Sequence, residues 1–180
     1  AYRSRLIAFD PSDGLKLPKN EKRSHRSITD EERTHILEVA SYHPSGLWVL
    51  LILYTGLRPG EAAALQWKDI DFDRNEIHVY KAIESGTSTI KTPKTPAGVR
   101  DIPMRRDLRQ LLWNSRGDPF SLLFPTKKGT IRSPSSVWRL WNSFSKELDL
   151  HMGAEQRDGK IIRHAIAPDL TLYCLRHTFC

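Results

Sequence analysis

The sequence predicts a mainly α-helical domain carrying a small three-stranded antiparallel β-sheet, an α+β class. Three observations predict it. Capped segments with helical spacing occupy residues 29–67 and return after residue 105. The apolar residues alternate with a period of two around Ile77 and Val79 and more weakly over Ala82 to Ile90, and Val99 to Ile102 makes a third short run. Across the 180 residues, 39% are hydrophobic and 27% charged, which suffices for one packed core and excludes a wholly disordered chain.

Residues 1–26 read as a tail or interdomain linker: Asp10-Pro11-Ser12-Asp13-Gly14 is a turn cluster, and Leu15 to Arg26 is polar and basic around Pro18. The folded part, residues 27–180, opens on Thr29-Asp30-Glu31-Glu32. Threonine at the N-cap and glutamate three residues on form a capping box for a helix to about Tyr42, with Ile36, Leu37, Val39 and Ala40 as its apolar face. Pro44-Ser45-Gly46 interrupts it. Leu47 to Tyr54 is apolar all round and predicts a helix inside the core. Thr55 to Gly60 is a turn, and Pro59 suits the first position of a third helix to about Trp67. Three antiparallel strands follow: one around Ile77 and Val79, one over Ala82 to Ile90, and one over Val99 to Ile102. Turns fall at Asp73-Arg74-Asn75 and near Ser85-Gly86, and residues 93–98 form a loop. Helices are predicted from about Arg106 to Ser115, from about Ser135 to Leu148 after Ser133-Pro134, and from Leu172 onward; Ile161 to Ile166 predicts a small strand.

The charge is uneven. Lys and Arg number 28 against 21 Asp and Glu, a net +7. Residues 27–90 sum to −5 (five basic, ten acidic), whereas residues 91–180 sum to +8 (sixteen basic, eight acidic). Clustered cations release counterions from phosphate backbones, so a polyanion is the partner this distribution suits; a solvated basic surface is the plain alternative. The apolar run from Leu47 to Tyr54 is far shorter than the ~20 residues a membrane span needs. Cys174 and Cys180 make neither a disulfide framework nor a common zinc spacing, and a reduced, cytoplasmic protein is the simplest reading.

Three segments concentrate chemistry. Arg58 sits in the turn Thr55-Gly56-Leu57-Arg58-Pro59-Gly60-Glu61, with Glu61 one helical turn on. Lys94 sits between strands in a segment ending Arg100-Asp101-Ile102-Pro103. Arg176 and His177 sit in Leu175-Arg176-His177-Thr178-Phe179. In that order and at compatible spacing, over about residues 27–180, these segments resemble the two arginine boxes and the β-hairpin lysine segment of the tyrosine recombinase family, the phage-integrase type in particular.

The resemblance implies an integrase-type catalytic domain of a site-specific DNA recombinase. In the intact protein a tyrosine attacks DNA and leaves a 3′-phosphotyrosyl intermediate, with neither ATP nor a metal implied. It implies that Arg58 and Arg176 hold the nonbridging phosphate oxygens, with a bidentate fork that lysine lacks. Lys94 protonates the departing 5′-oxygen, Lys91 being the alternative, and Glu61 orients Arg58 or a neighbour rather than touching phosphate. Tyr173 occupies the family's histidine position, where its hydroxyl can donate a hydrogen bond but does not titrate near neutrality. His177 reads as a structural hydrogen-bonding residue. Lys91, Arg100, Lys127, Lys128, Arg132 and Arg139 are candidate DNA contacts. Trp138 and Trp141 read as core anchors.

The family's nucleophile lies downstream of the second box. None of Tyr2, Tyr42, Tyr54, Tyr80 and Tyr173 is placed for that role, so the expectation is a domain cut before its nucleophile, unable by itself to form a covalent adduct with DNA. The expected partners are duplex DNA and, for the intact protein, a homotetramer on it; the fragment is expected to be monomeric. A non-catalytic duplex-DNA-binding module of the same fold is the rival reading, and an RNA-binding or scaffold protein with an incidental basic surface is a third.

Overall fold

The computed structural model describes residues 25–84, 89–92 and 98–179. Among the described residues, six α-helices and seven short strands follow one another in the predicted α+β pattern. Helix α1, Asp30–Ala40, starts on the predicted capping box: Thr29 accepts from the Glu32 amide at 3.1 Å, and the Glu32 carboxylate accepts from the Thr29 amide at 2.8 Å. Helix α2, Gly46–Thr55, buries nine of its ten residues, all but Leu47, and lies in the middle of the core, with Leu51 and Ile52 wholly enclosed. Packing against α2 are α1, α3 (Pro59–Ala64), α4 (Arg106–Asn114) and α6 (Leu172–Phe179); α5 (Pro134–His151) packs on α1 and α3. The stripe Val137, Trp141, Phe144 and Leu148 is the buried face of α5.

The sheet departs from the expectation. Its three strands are β1 (Ile70–Asp71), β2 (Glu76–Val79) and β5 (Arg100–Pro103), antiparallel in the order β1-β2-β5, with Ile77 opposite Ile70 on one side and Ile102 on the other. The predicted middle strand over Ala82 to Ile90 is instead a separate two-stranded element, β3 (Ala82–Ile83) paired with β4 (Ile90–Lys91). The cause is Asp69. It accepts the Tyr80 hydroxyl at 2.8 Å and pairs with Lys81 at 2.7 Å, and so turns the chain off the ladder after Val79. Lys81 is buried, and this carboxylate is what makes that burial tolerable. The Ser85-Gly86 turn lies outside the described residues.

Three smaller differences have local causes. Helix α3 stops at Ala64 rather than near Trp67, because Leu65 is extended and Gln66 bridges to Leu122. The expected strand after residue 160 is one arm of a hairpin, β6 (Glu155–Arg157) with β7 (Lys160–Arg163). Helix α5 runs three residues past Leu148, to His151. At the front of the domain, Arg26 pairs with Glu32 at 2.6 Å and with Asp169 at 2.8 Å, tying the segment before α1 to the entry of α6. Its guanidinium holds both carboxyls below their usual range. Among the described residues no helix is long and apolar enough to cross a membrane.

Candidate nucleic-acid cleavage site

The turn between α2 and α3 places the first arginine. Gly56 ends α2 in the left-handed conformation, φ +61°, and its amide bonds to the Ile52 carbonyl at 2.9 Å. That reversal sends Leu57 into the core and leaves Arg58 outside, its side chain 61% exposed. Pro59 then begins α3 with φ already suited to a helix. Glu61, on the inner side of the first turn, is buried.

Glu61 is the hub of the site. Its Oε2 accepts the Arg58 amide at 2.8 Å and Arg100 Nη2 at 2.9 Å, and its Oε1 accepts Arg58 Nη1 at 3.0 Å. Burial pushes the carboxyl up, but the Arg100 guanidinium and then the amide and guanidinium of Arg58 outweigh it and hold it below the usual carboxylate range. One carboxylate thus orients two guanidinium groups and leaves the cluster net positive.

Helix α6 brings the second arginine. Leu172, Cys174 and Leu175 face the core and dock the helix on α2, while Tyr173 and Arg176 are only half-buried. Arg176 Nη1 donates to the Gly56 carbonyl, 120 positions earlier in the chain. The Phe179 ring covers Gly56 so closely that a Cβ there would lie 2.6 Å from its Cδ1. Only glycine meets both the φ and this contact.

Two clefts flank the turn. One, of about 250 Å³, is lined by Arg58, Glu61, Ile83, Trp138 and Tyr173 among others; the other, of about 330 Å³, is lined by Gly56, Arg100, Arg176 and Phe179 among others. Gly60 lets the backbone close on the β3 side, since a Cβ there would lie 3.0 Å from the Ile83 carbonyl oxygen.

Arg58, Glu61, Tyr173 and Arg176 therefore gather around one turn. The remaining candidates are more scattered. Lys94 lies outside the described residues. Lys91 is exposed on β4 and pairs with Glu84 at 2.7 Å. Arg100, expected on DNA, spends its guanidinium on Glu61 as a buttress. Arg132 is turned inward, donating to the Phe124 and Pro125 carbonyls at 3.0 and 2.8 Å and to the Ser136 hydroxyl at 3.2 Å, so it holds the loop that enters α5. Lys127, Lys128 and Arg139 are exposed.

Two residues of the site are missed by sequence reasoning. Trp141 is a core anchor as expected, but Trp138 is 43% exposed and tilts over Tyr173 with ring centroids 6.4 Å apart. The signal was available: Trp138 falls off the stripe of Val137, Trp141, Phe144 and Leu148. His25 stacks on Tyr173 at 5.1 Å and lies 5.7 Å from His177. No local pattern announces that contact, because it joins residues from opposite ends of the chain.

Comparison with known proteins addresses the family and the fold. The prophage integrase IntR of Escherichia coli (strain K12) is 29% identical over 104 residues, covering 58% of this chain and 25% of IntR. The transposase of transposon Tn916 from Enterococcus faecalis is 26% identical over 171 residues, covering 85% of this chain and 40% of that protein. The chain thus spans well under half the length of these relatives. Among solved structures, the Tn1549 transposon integrase in complex with a circular intermediate DNA superposes with a TM-score of 0.69 at 23% identity, over 99% of this chain and 60% of that one. XerA recombinase superposes at 0.56 and 20% identity, over 91% and 50%. Both share the fold. The model of the phage integrase family matches residues 26–180, and with that match over most of its length this chain belongs to the phage integrase family.

Proposed function

We propose that this chain is the catalytic-domain portion of a tyrosine-type site-specific recombinase, which in the intact protein breaks and rejoins duplex DNA through a 3′-phosphotyrosyl intermediate. The observation that carries the reading is the meeting of the two arginine segments: Arg176 bonds the Gly56 carbonyl, two residues ahead of Arg58. Attack on a phosphodiester builds negative charge on the nonbridging oxygens. Two guanidiniums brought to the two sides of one turn can receive it from a phosphate bound across that turn. Glu61 fixes Arg58 without neutralising the site, because Arg100 balances it.

In this reading Lys94 protonates the 5′-oxygen that leaves, and Tyr173 donates a hydrogen bond to the phosphate. Lys91, Lys127, Lys128 and Arg139 contact the DNA backbone, which positions the duplex without specifying its sequence. The phosphotyrosyl link conserves the energy of the broken bond, so rejoining needs no nucleotide. The intact protein works as a tetramer on paired sites.

The test uses the intact recombinase and a DNA substrate carrying its sites. Arg58→Ala and Arg176→Ala are expected to abolish recombination, by about 10²-fold or more in cleavage rate, with duplex affinity in gel shifts largely kept. An arginine whose alanine variant recombines at the normal rate is not at the phosphate. If the intact wild-type protein binds the duplex but does not cleave it, the non-catalytic DNA-binding reading replaces this one. For Lys94→Ala, a substrate with a better 5′ leaving group should restore much of the lost rate; absence of rescue removes the general-acid role.

A further inference from the structure

A second cluster lies at the far end of α5, thirteen residues or about 20 Å of helix from Trp138. His35 and Glu38 are one turn apart on α1, and His151 closes α5. Packing of α1 on α5 brings the three together. His151 Nε2 lies 2.9 Å from Glu38 Oε2, and His35 Nδ1 lies 3.7 Å from the same oxygen. The two imidazoles meet edge to face with centroids 5.3 Å apart. One ligand atom from each of the three side chains lies within 4.8 Å of the other two.

The His35 nitrogen is the informative atom. Nδ1 is enclosed by protein and has no hydrogen-bond partner, and at 3.7 Å the Glu38 oxygen is beyond hydrogen-bonding reach. It points at a carboxylate that already binds a second imidazole. A four-coordinate zinc ion with bonds of about 2.0–2.1 Å sets its ligand atoms about 3.3–3.4 Å apart. The two separations from Glu38 Oε2, 2.9 and 3.7 Å, straddle that value, and one nitrogen of each imidazole lies within 4.8 Å of the other, so side-chain rotation completes the geometry.

We infer that His35, Glu38 and His151 form a binding site for a divalent cation of the zinc class, one that clasps α1 to α5. Two imidazoles and one carboxylate are a borderline donor set. They favour Zn²⁺ and its neighbours over Mg²⁺ or Ca²⁺, which take oxygen ligands. Water fills the fourth position. The site is remote from the DNA-cleavage cleft and takes no part in phosphate chemistry. Its effect is on the fold: the ligands come from both ends of residues 35–151, so the ion binds the folded chain and stabilises it.

The test titrates ZnCl2 into the chelator-treated, untagged chain by calorimetry, with thermal melts alongside. Wild type is expected to take up one Zn²⁺ per chain and to melt several degrees higher. His35→Ala and His151→Ala are each expected to weaken affinity by at least about tenfold. Glu38→Gln keeps an acceptor for His151 and so protects folding, and it is expected to weaken zinc similarly. His78→Gln, on the β-sheet, is expected to leave zinc uptake and the zinc-induced rise in melting temperature unchanged. Circular dichroism establishes that each variant is folded before it is scored. No uptake by wild type overturns the site. So does undiminished uptake by the His35→Ala/His151→Ala double variant, or an equal response to MgCl2.

Discussion

Arg58 and Arg176 meet at one turn although they lie 118 positions apart in the chain, and they are anchored in different ways. Arg58 answers to charge: a buried carboxylate on its own helix accepts its amide and its guanidinium, with Arg100 on the other flank. Arg176 is aimed at a neutral carbonyl, and its position depends on α6 docking through Leu172, Cys174 and Leu175. The first half of the site is therefore complete within residues 58–100. The second half exists only while the last helix sits on α2. In this architecture the arginine that travels farthest along the chain is held by packing, and the one set locally is held by electrostatics.

The largest expected effect is on the first anchor. Glu61→Ala leaves two guanidiniums and an amide without their acceptor and should cost about 2–3 kcal/mol in urea denaturation. A loss well below 1 kcal/mol would mean that solvent screens the cluster and that charge does not set Arg58. Next is the junction of the halves. Gly56→Ala forces a left-handed alanine into the Phe179 ring and should cost about 1–3 kcal/mol. It should also raise amide exchange in α6 more than in α3; equal rises would show that the two halves open as one unit. A smaller effect is expected away from both halves. Thr29→Ala removes the α1 cap and should cost about 1 kcal/mol, or about 2–4 °C in Tm, with the α3-to-α6 exchange ratio unchanged.

The smallest effect is a pH slope that separates the two anchors. The Glu61 pKa is depressed in the folded state from 4.5, so its contribution is fully present above 4.5 and is lost as pH falls through the folded value. Glu61→Gln should make the acid limb of the stability curve shallower. The Gly56 carbonyl does not titrate, so the Arg176–Gly56 hydrogen bond adds nothing to that limb. An unchanged acid limb in Glu61→Gln would assign the slope to other carboxylates, Glu32 and Asp149 among them.

Much of this architecture is legible residue by residue. The capping box at Thr29, the all-apolar α2, Pro59 at the head of α3 and Ser133-Pro134 at the head of α5 are all present, because each is a signal carried within about four residues. The sheet was misread at one place. Ile70–Asp71 is too short to show alternation, and the chain leaves β2 at Tyr80 and Lys81 because a carboxylate eleven and twelve residues back captures both. Within the site, Arg58, Glu61 and Arg176 stand out by type and setting, whereas the work of Arg100 and Arg132 does not: an arginine that buttresses a buried acid and one that meets solvent read alike.

By itself the sequence determined where helices begin, which faces are apolar, and which turn carries Arg58, since caps, periodicity and φ preference act between near neighbours. Tertiary structure alone decided that Arg176 closes on Gly56, that His25 lies on Tyr173, that Glu61 takes Arg100 as well as Arg58, and that His35 meets His151. Those pairings join residues tens to more than a hundred positions apart. Their partners are chosen by the packing of whole helices around α2, a collective outcome that no short window of residues encodes.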